Sequence, residues 1–279
     1  MPIWTHSLIK NEERFIWFSI MSVIDFVDKM MIWDTGSGDK TADIVKKIYG
    51  KYPDKIDFKE VGEVNAESYT GMRQKMLDET KSDWLMILDG DEVWWRESIK
   101  KVVSVIKKRG NKLDTIVSRY YNVVGDIYHR QDEKAGRYQI GEKKGHVNIR
   151  FINRTIPGLY TAKPHGQHGY YDKTNTLIQE KTHKRRIYLK APYMHFTNVL
   201  RSSSHETNND VPKRKMKFKY EIGKPFPKDF YYPEVFFLPR PTIVTSPWHK
   251  MSTIFKIKSA FLTPAKKLRR HILKARSGY

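Results

Sequence analysis

No cysteine occurs anywhere in the chain, which rules out disulfides, thiolate metal sites and cysteine nucleophiles and leaves the redox compartment open. Long apolar runs are missing too. The longest, residues 15–27, carries Asp25 and falls short of the ~18 residues that a membrane span needs. Charge begins at Lys10, just after Leu8, where the apolar core of a secretory signal would continue. A cytoplasmic location, with peripheral membrane contact left open, is therefore expected. Acidic residues are scarce in one part of the chain only. Residues 1–150 hold 26 Lys and Arg against 24 Asp and Glu, whereas residues 151–279 hold 26 against 7. The formal net charge of +21 thus sits almost wholly in the second half and suggests a polyanionic partner there: nucleic acid, an anionic membrane, or a phosphorylated substrate. Hydrophobic residues make up 39% of the 279, enough for a sizeable core.

What is present is a regular alternation. Strands are predicted at residues 2–8, 29–34, 56–61, 84–89 and 115–121. Helices are predicted between them at residues 11–22, 41–49, 68–80 and 97–109. Strict strand–helix alternation implies βαβ units and a mainly parallel sheet flanked by helices, of the Rossmann-like α/β class. Ligands of such sheets bind beyond the carboxyl ends of the strands. The polar clusters 10–13, 34–39 and 89–92 all fall at those ends and should converge on one crevice. After Tyr121 the pattern loosens, with further strands predicted at residues 147–153 and 186–189. Residues 211–241 hold six prolines and many lysines and read as an extended wrapping segment. The chain divides accordingly into residues 1–121, residues 122–210 completing the same domain, and a basic extension, 211–279, that ends in amphipathic helix.

The stretch WLMILDGDEVWW, residues 84–95, runs an apolar strand straight into Asp89-Gly90-Asp91-Glu92. Buried carboxylates are costly unless paired or metal-bound. Two at alternate positions, with a glycine between them, suit Mn²⁺ or Mg²⁺ whose remaining ligands are phosphate oxygens and water. An acidic surface turn is the plain alternative.

Order and spacing narrow the choice. A first strand ends in Asn11-Glu12, a second in Asp34-Thr35-Gly36-Ser37-Gly38-Asp39; a helix bearing Arg73 then precedes the strand that ends in Asp89-Gly90-Asp91. Across about residues 1–95 this resembles the donor-binding half of family 2-type GT-A glycosyltransferases. The resemblance implies a GT-A fold and a nucleotide-sugar donor, with a UDP-sugar as the first candidate. It implies that Glu12 and Asp34 line the nucleobase and ribose pocket and that Arg73 reaches the diphosphate. Asp89 would contact the ribose and share the cation with Asp91. His195, late in the chain after an apolar strand, would be a third metal ligand. Two positions depart from the family pattern: Thr35 stands where many members have a second aspartate, and Gln74 follows Arg73 where asparagine is common.

Inverting transfer needs a base near the acceptor hydroxyl. His165 and Asp126 are the candidates, with Asp132 in reserve and His168 nearby; His165 can equally serve acceptor binding or loop structure. Arg201 and Ser202–Ser204 could hold phosphate oxygens. Trp94 and Trp95 stack on a sugar or belong to the core. From residue 251 onward no Asp or Glu occurs, and Ile254, Ile257, Phe261, Leu262, Leu268 and Ile272 recur at helical spacing among lysines and arginines. That segment, one helix or two around Pro264, either meets an anionic membrane surface or packs on its own domain. The expected function is metal-dependent, inverting transfer of a sugar to a glycan or lipid-linked hydroxyl. A nucleic-acid-binding protein using the basic half is the alternative; it leaves the ordered carboxylates unexplained.

Overall fold

The computed structural model describes residues 1–65, 67–164, 167–181, 183–203, 220–272 and 276–277. The first part alternates as β1 (Ile3–Ile9), α1 (Ile16–Val23), β2 (Lys29–Asp34), α2 (Thr41–Tyr49), β3 (Ile56–Glu60), α3 (Ser68–Glu79), β4 (Trp84–Ile87), β5 (Glu92–Trp94) and α4 (Arg96–Arg109). Then follow β6 (Thr115–Val124), β7 (Asp126–Arg130), β8 (Tyr138–Ile140), β9 (Lys143–Gly145), β10 (Val147–Asn153), β11 (Tyr160–Ala162), β12 (Gly169–Tyr171) and β13 (Arg186–Asn198). The last elements are β14 (Lys224–Pro225), α5 (Thr253–Ile272) and β15 (Arg276–Ser277).

The main sheet runs β14-β7-β6-β10-β4-β1-β2-β3, and β13 lies along β6 and carries β5. Strands β3, β2, β1 and β4 are mutually parallel, whereas β10 inserts antiparallel between β4 and β6. Residues 30–34 of β2 are all buried, as expected of a parallel strand covered on both faces. Helix α2 turns Ile44, Val45 and Ile48 inward, and α4 does the same with Ile99, Val102 and Ile106. One core cluster joins these helices to α1 and the sheet.

Three departures from the predicted elements have physical causes. Helix α1 begins at Ile16, not residue 11, because Asn11 adopts φ 55°, a left-handed turn that asparagine tolerates. Strand β13 continues to Asn198 through a register shift between Leu189 and Tyr193, where Pro192 cannot donate to the ladder. Helix α5 runs unbroken through Pro264, whose ring and the preceding Ala260 both lie on the exposed side.

Residues 220–252 have little regular structure, as their prolines dictate, and lie against α1 and the start of α4. Trp95 Nε1 donates to Tyr231 O (2.9 Å), and Phe236 packs on Phe18 with ring centroids 5.1 Å apart.

Candidate active site

The loops after β1 and β2 are knitted together before any acidic group is considered. Ser37 Oγ accepts from Asn11 N (2.9 Å), and Asn11 Oδ1 accepts from Gly38 N (2.8 Å). Thr41 Oγ1 accepts from Glu12 N (2.8 Å). The loop after β4 closes against the same place. A Cβ on Gly90 would come within 2.8 Å of Glu12 Cγ, so only glycine lets this loop approach. The three polar clusters at the ends of β1, β2 and β4 therefore meet.

Beyond β4 the chain turns, with Asp89 O accepting from Glu92 N (3.1 Å), and enters β5. Antiparallel pairing of β5 with β13 sets Glu92 directly opposite His195, which brings their side chains to one face. Ligand atoms of Asp89, Glu92 and His195 all lie within 4.8 Å of one another. Asp91 Oδ1 is 3.4 Å from His195 Nε2. Carboxylates with one imidazole form a donor set suited to Mn²⁺. Two buried atoms here, His195 Nδ1 and Glu92 Oε2, have no hydrogen-bond partner among the described residues.

Three arginines answer the carboxylates. Arg150 is the extra residue of a bulge in β10: Ile149 pairs with Val117 and Phe151 with the adjacent Ile116. Bulges re-aim side chains near active sites, and this one sends a buried guanidinium to Asp89 (3.0 Å) and Glu92. Tyr193 OH steadies it, accepting from Arg150 Nε (3.2 Å). Arg73, fully buried on α3, reaches Asp89 Oδ1 (3.4 Å), Tyr69 OH and the carbonyl of His6. Arg201 places Nη1 2.7 Å from both Glu12 Oε1 and Asp91 Oδ2.

These charges move the acids apart. Burial drives the Asp89 carboxyl upward, but Arg150 and Arg73 outweigh it and hold the group below the ordinary range. Burial dominates at Glu92, which is pushed up to about 7 despite Arg150. His195 is raised: burial opposes its charge, and Asp91 and Glu92 more than compensate. Asp34 is raised by burial; one oxygen accepts from Ser37 N (2.7 Å), and Oδ2 has no partner among the described residues.

Other expected residues lie elsewhere or do other work. His165 lies outside the described residues. Asp126, at the start of β7, accepts from His129 Nδ1 (2.6 Å), Tyr128 N (3.0 Å) and Met251 N (2.9 Å), joining the sheet to the entry of α5. Asp132 binds Lys224 at 2.6 Å. His168 packs edge-on against Tyr69, the partner of Arg73. Of the two readings of the tryptophans, the structure gives burial in the core. Trp94 is buried and stacked on Tyr193 at 4.6 Å, and Trp95 is buried under residues 230–231. Trp94 ends β5 and Trp95 begins the turn into α4, and both side chains enter the core. The two departures from the family pattern also have local roles. Thr35 Oγ1 donates to Ile9 O (2.9 Å), and Gln74 Oε1 accepts from Thr161 N (2.8 Å), tying α3 to β11.

Arg150 and Glu92 were missed by sequence reasoning. A lone arginine inside the buried run VNIRFIN was the available signal for the first. Glu92 was visible beside the Asp89-Gly90-Asp91 triplet, but its role depends on pairing with a strand about a hundred residues later.

The family model described as Glycosyl transferase family 2 matches residues 8–206. The chain belongs to that family. It is 25% identical over 182 residues to the SPbeta prophage-derived glycosyltransferase SunS of Bacillus subtilis (strain 168), a match covering 63% of this chain and 42% of that relative. The chain thus spans less than half the length of the curated relative it matches. Among solved structures it is similar to S. aureus TarS 1-349 in complex with UDP-GlcNAc, at 15% identity and TM-score 0.48, covering 74% of this chain and 60% of that one. It is also similar to the mannosyltransferase PcManGT from Pyrobaculum calidifontis in complex with GDP-Man and Mn2+, at 15% identity and TM-score 0.37, covering 55% and 45%. Family 2 membership supports the mixed α/β, GT-A-like class and lends the nucleic-acid alternative no support.

Proposed function

We propose that the protein transfers one sugar from a nucleotide diphosphate-sugar to an acceptor hydroxyl, on a glycan or a lipid-linked carrier, with a UDP-sugar as the first donor to test. The observation that carries this reading is the cluster of Asp89, Asp91, Glu92 and His195 at the carboxyl end of the parallel strands, in a chain of glycosyl transferase family 2.

In this reading Asp34 offers to a nucleoside hydroxyl or base N–H the oxygen that has no partner among the described residues, and Glu12, set against Gly90 and Arg201, lines the same crevice. Arg73 and Arg150 are too deeply buried to travel, so they hold Asp89 ionised, and Arg150 fixes Glu92 in place. The donor set fits a divalent cation, Mn²⁺ or Mg²⁺, which Asp89, Asp91, Glu92 and His195 would hold. Such an ion supplies Lewis-acid stabilisation of the charge that develops on the leaving diphosphate. Arg201 gives up Glu12 and Asp91 on donor binding and pairs with diphosphate oxygens, a charge-assisted contact for which guanidinium is suited.

The acceptor oxygen forms its bond to the anomeric carbon from the face opposite the leaving group. The bond from that carbon to the diphosphate oxygen breaks, giving inversion. The hydroxyl proton passes to a base. Asp126 is engaged by three donors, which favours His165 for that role.

A thermal-shift panel of UDP-, GDP- and deoxythymidine diphosphate-sugars, with and without Mn²⁺, tests the proposal. Stabilisation by one nucleotide class that rises with concentration and with metal supports it. Stabilisation by oligonucleotides alone overturns it.

A further inference from the structure

Helix α5 is attached to the body along one narrow side. Met251, Phe255, Ser259 and Thr263 are the buried residues of residues 251–268. Thr263 Oγ1 accepts from Ile222 N (2.9 Å), and Lys266 Nζ donates to Tyr220 O (2.8 Å). Phe255 fits over Gly125, where an added Cβ would lie 2.7 Å from the ring. At about 100° per residue, Ile254, Ile257, Phe261 and Leu268 fall within about 60° of one another, on the side opposite Ser259 and Thr263. They are 66%, 55%, 81% and 67% exposed. Phe255 apart, the apolar stripe of the helix thus faces away from the body, whereas an ordinary surface helix turns its stripe to the core.

Charge identifies what could cover this stripe. Lys258 lies about 70° to one side of the centre of the stripe, Lys267 and Lys256 about 110° and 130° to the other, and all three are exposed. No Asp or Glu follows Glu234 in the sequence. A second copy of the same face would set lysine against lysine, and like charges in contact oppose self-association. A surface that is both apolar beneath and negative at its rim satisfies stripe and flanks together. Among the described residues no helix is long and apolar enough to cross a membrane, so α5 would lie in the headgroup plane.

We propose that the outward face of α5 docks the protein on an anionic lipid bilayer, with Ile254, Ile257, Phe261 and Leu268 entering the acyl boundary and Lys256, Lys258 and Lys267 meeting the headgroups. This inference stands apart from the transfer reaction and survives its failure.

The test is flotation of the full chain with vesicles of phosphatidylcholine alone or doped with phosphatidylglycerol. Binding should require phosphatidylglycerol and weaken with salt. Phe261→Glu should lower it at least about tenfold. Lys256→Ala with Lys267→Ala should cost about fivefold per lysine. Both variants alter exposed positions, and unchanged melting temperatures confirm that they fold. Absence of binding to anionic vesicles, or equal binding by Phe261→Glu, overturns the proposal. So does a concentration-dependent dimer that Phe261→Glu dissolves, which would assign the stripe to a second copy.

Discussion

Removing the Arg201 guanidinium should take away the cation that two buried carboxylates share. Glu12 and Asp91 are both buried, and each accepts the same Nη1 at 2.7 Å. Two unit charges about 4 Å apart interact by about 4 kcal/mol at an effective dielectric near 20. Breaking a buried pair by deleting one partner costs about 3–5 kcal/mol. At roughly 2–4 °C of melting temperature per kcal/mol, Arg201→Ala should melt about 10 °C lower in chelator. Added Mn²⁺ then becomes the replacement cation. At a hundredfold excess over its dissociation constant, it returns about 2.7 kcal/mol, most of the loss. The wild-type protein should gain less from Mn²⁺ alone, because the ion competes with a resident guanidinium. Urea unfolding of both proteins in chelator and across a Mn²⁺ titration reads the two effects separately. Equal stability in chelator would refute the buried-pair reasoning. An equal Mn²⁺ increment in both proteins would refute the competition.

Three further outcomes follow from the geometry. His6 is wholly buried, and burial, reinforced by Arg73, lowers its pKa from 6.5 to about 3, so the fold binds its neutral form. Its stabilising contribution is complete above pH 6.5 and is lost as pH falls towards 3. About 2 kcal/mol should disappear by pH 5, and His6→Gln should flatten that slope in urea titrations at pH 5 and 7.5. Gly90→Ala should weaken nucleotide binding at least about tenfold through its clash with Glu12, at an overpacking cost of about 1–3 kcal/mol. Calorimetric titration with nucleotide, beside a melting curve, separates these effects. His195→Ala should raise the Mn²⁺ concentration needed for half-maximal activity by about tenfold or more, with a smaller change in melting; a steep melting loss with unaltered metal dependence would make it a packing residue.

Most of the first half was legible because one physical signal governed each element. The apolar run KMMIWD and the Ile44, Val45, Ile48 stripe give β2 and α2 their bounds directly. Asp89 and Asp91 announced themselves as charges at the end of an apolar strand. What stayed hidden depends on pairing between distant strands. Strand β5 is three residues long and exists because β13 lies beside it, so the inward turn of Trp94 and the meeting of Glu92 with His195 had no local signature. Arg150 required a bulge that only the β10–β6 register reveals. Arg201 was legible as a candidate phosphate contact, but its seat on Glu12 and Asp91 was not, because three-dimensional charge balance sets it. The stripe of α5 was visible in the sequence, but not the side it faces. Phe255 over Gly125 and Thr263 bonded to Ile222 hold the opposite side down.

Release of nucleoside diphosphate from a nucleotide-sugar, followed for the wild-type chain and for Asp91→Asn, tests the proposed activity most directly. With Mn²⁺ present, the wild type should release the diphosphate from at least one nucleotide-sugar. Asp91→Asn should be slower by about a hundredfold or more while keeping its melting transition. No release from any nucleotide-sugar, or release by Asp91→Asn at the wild-type rate, would contradict sugar transfer at this site.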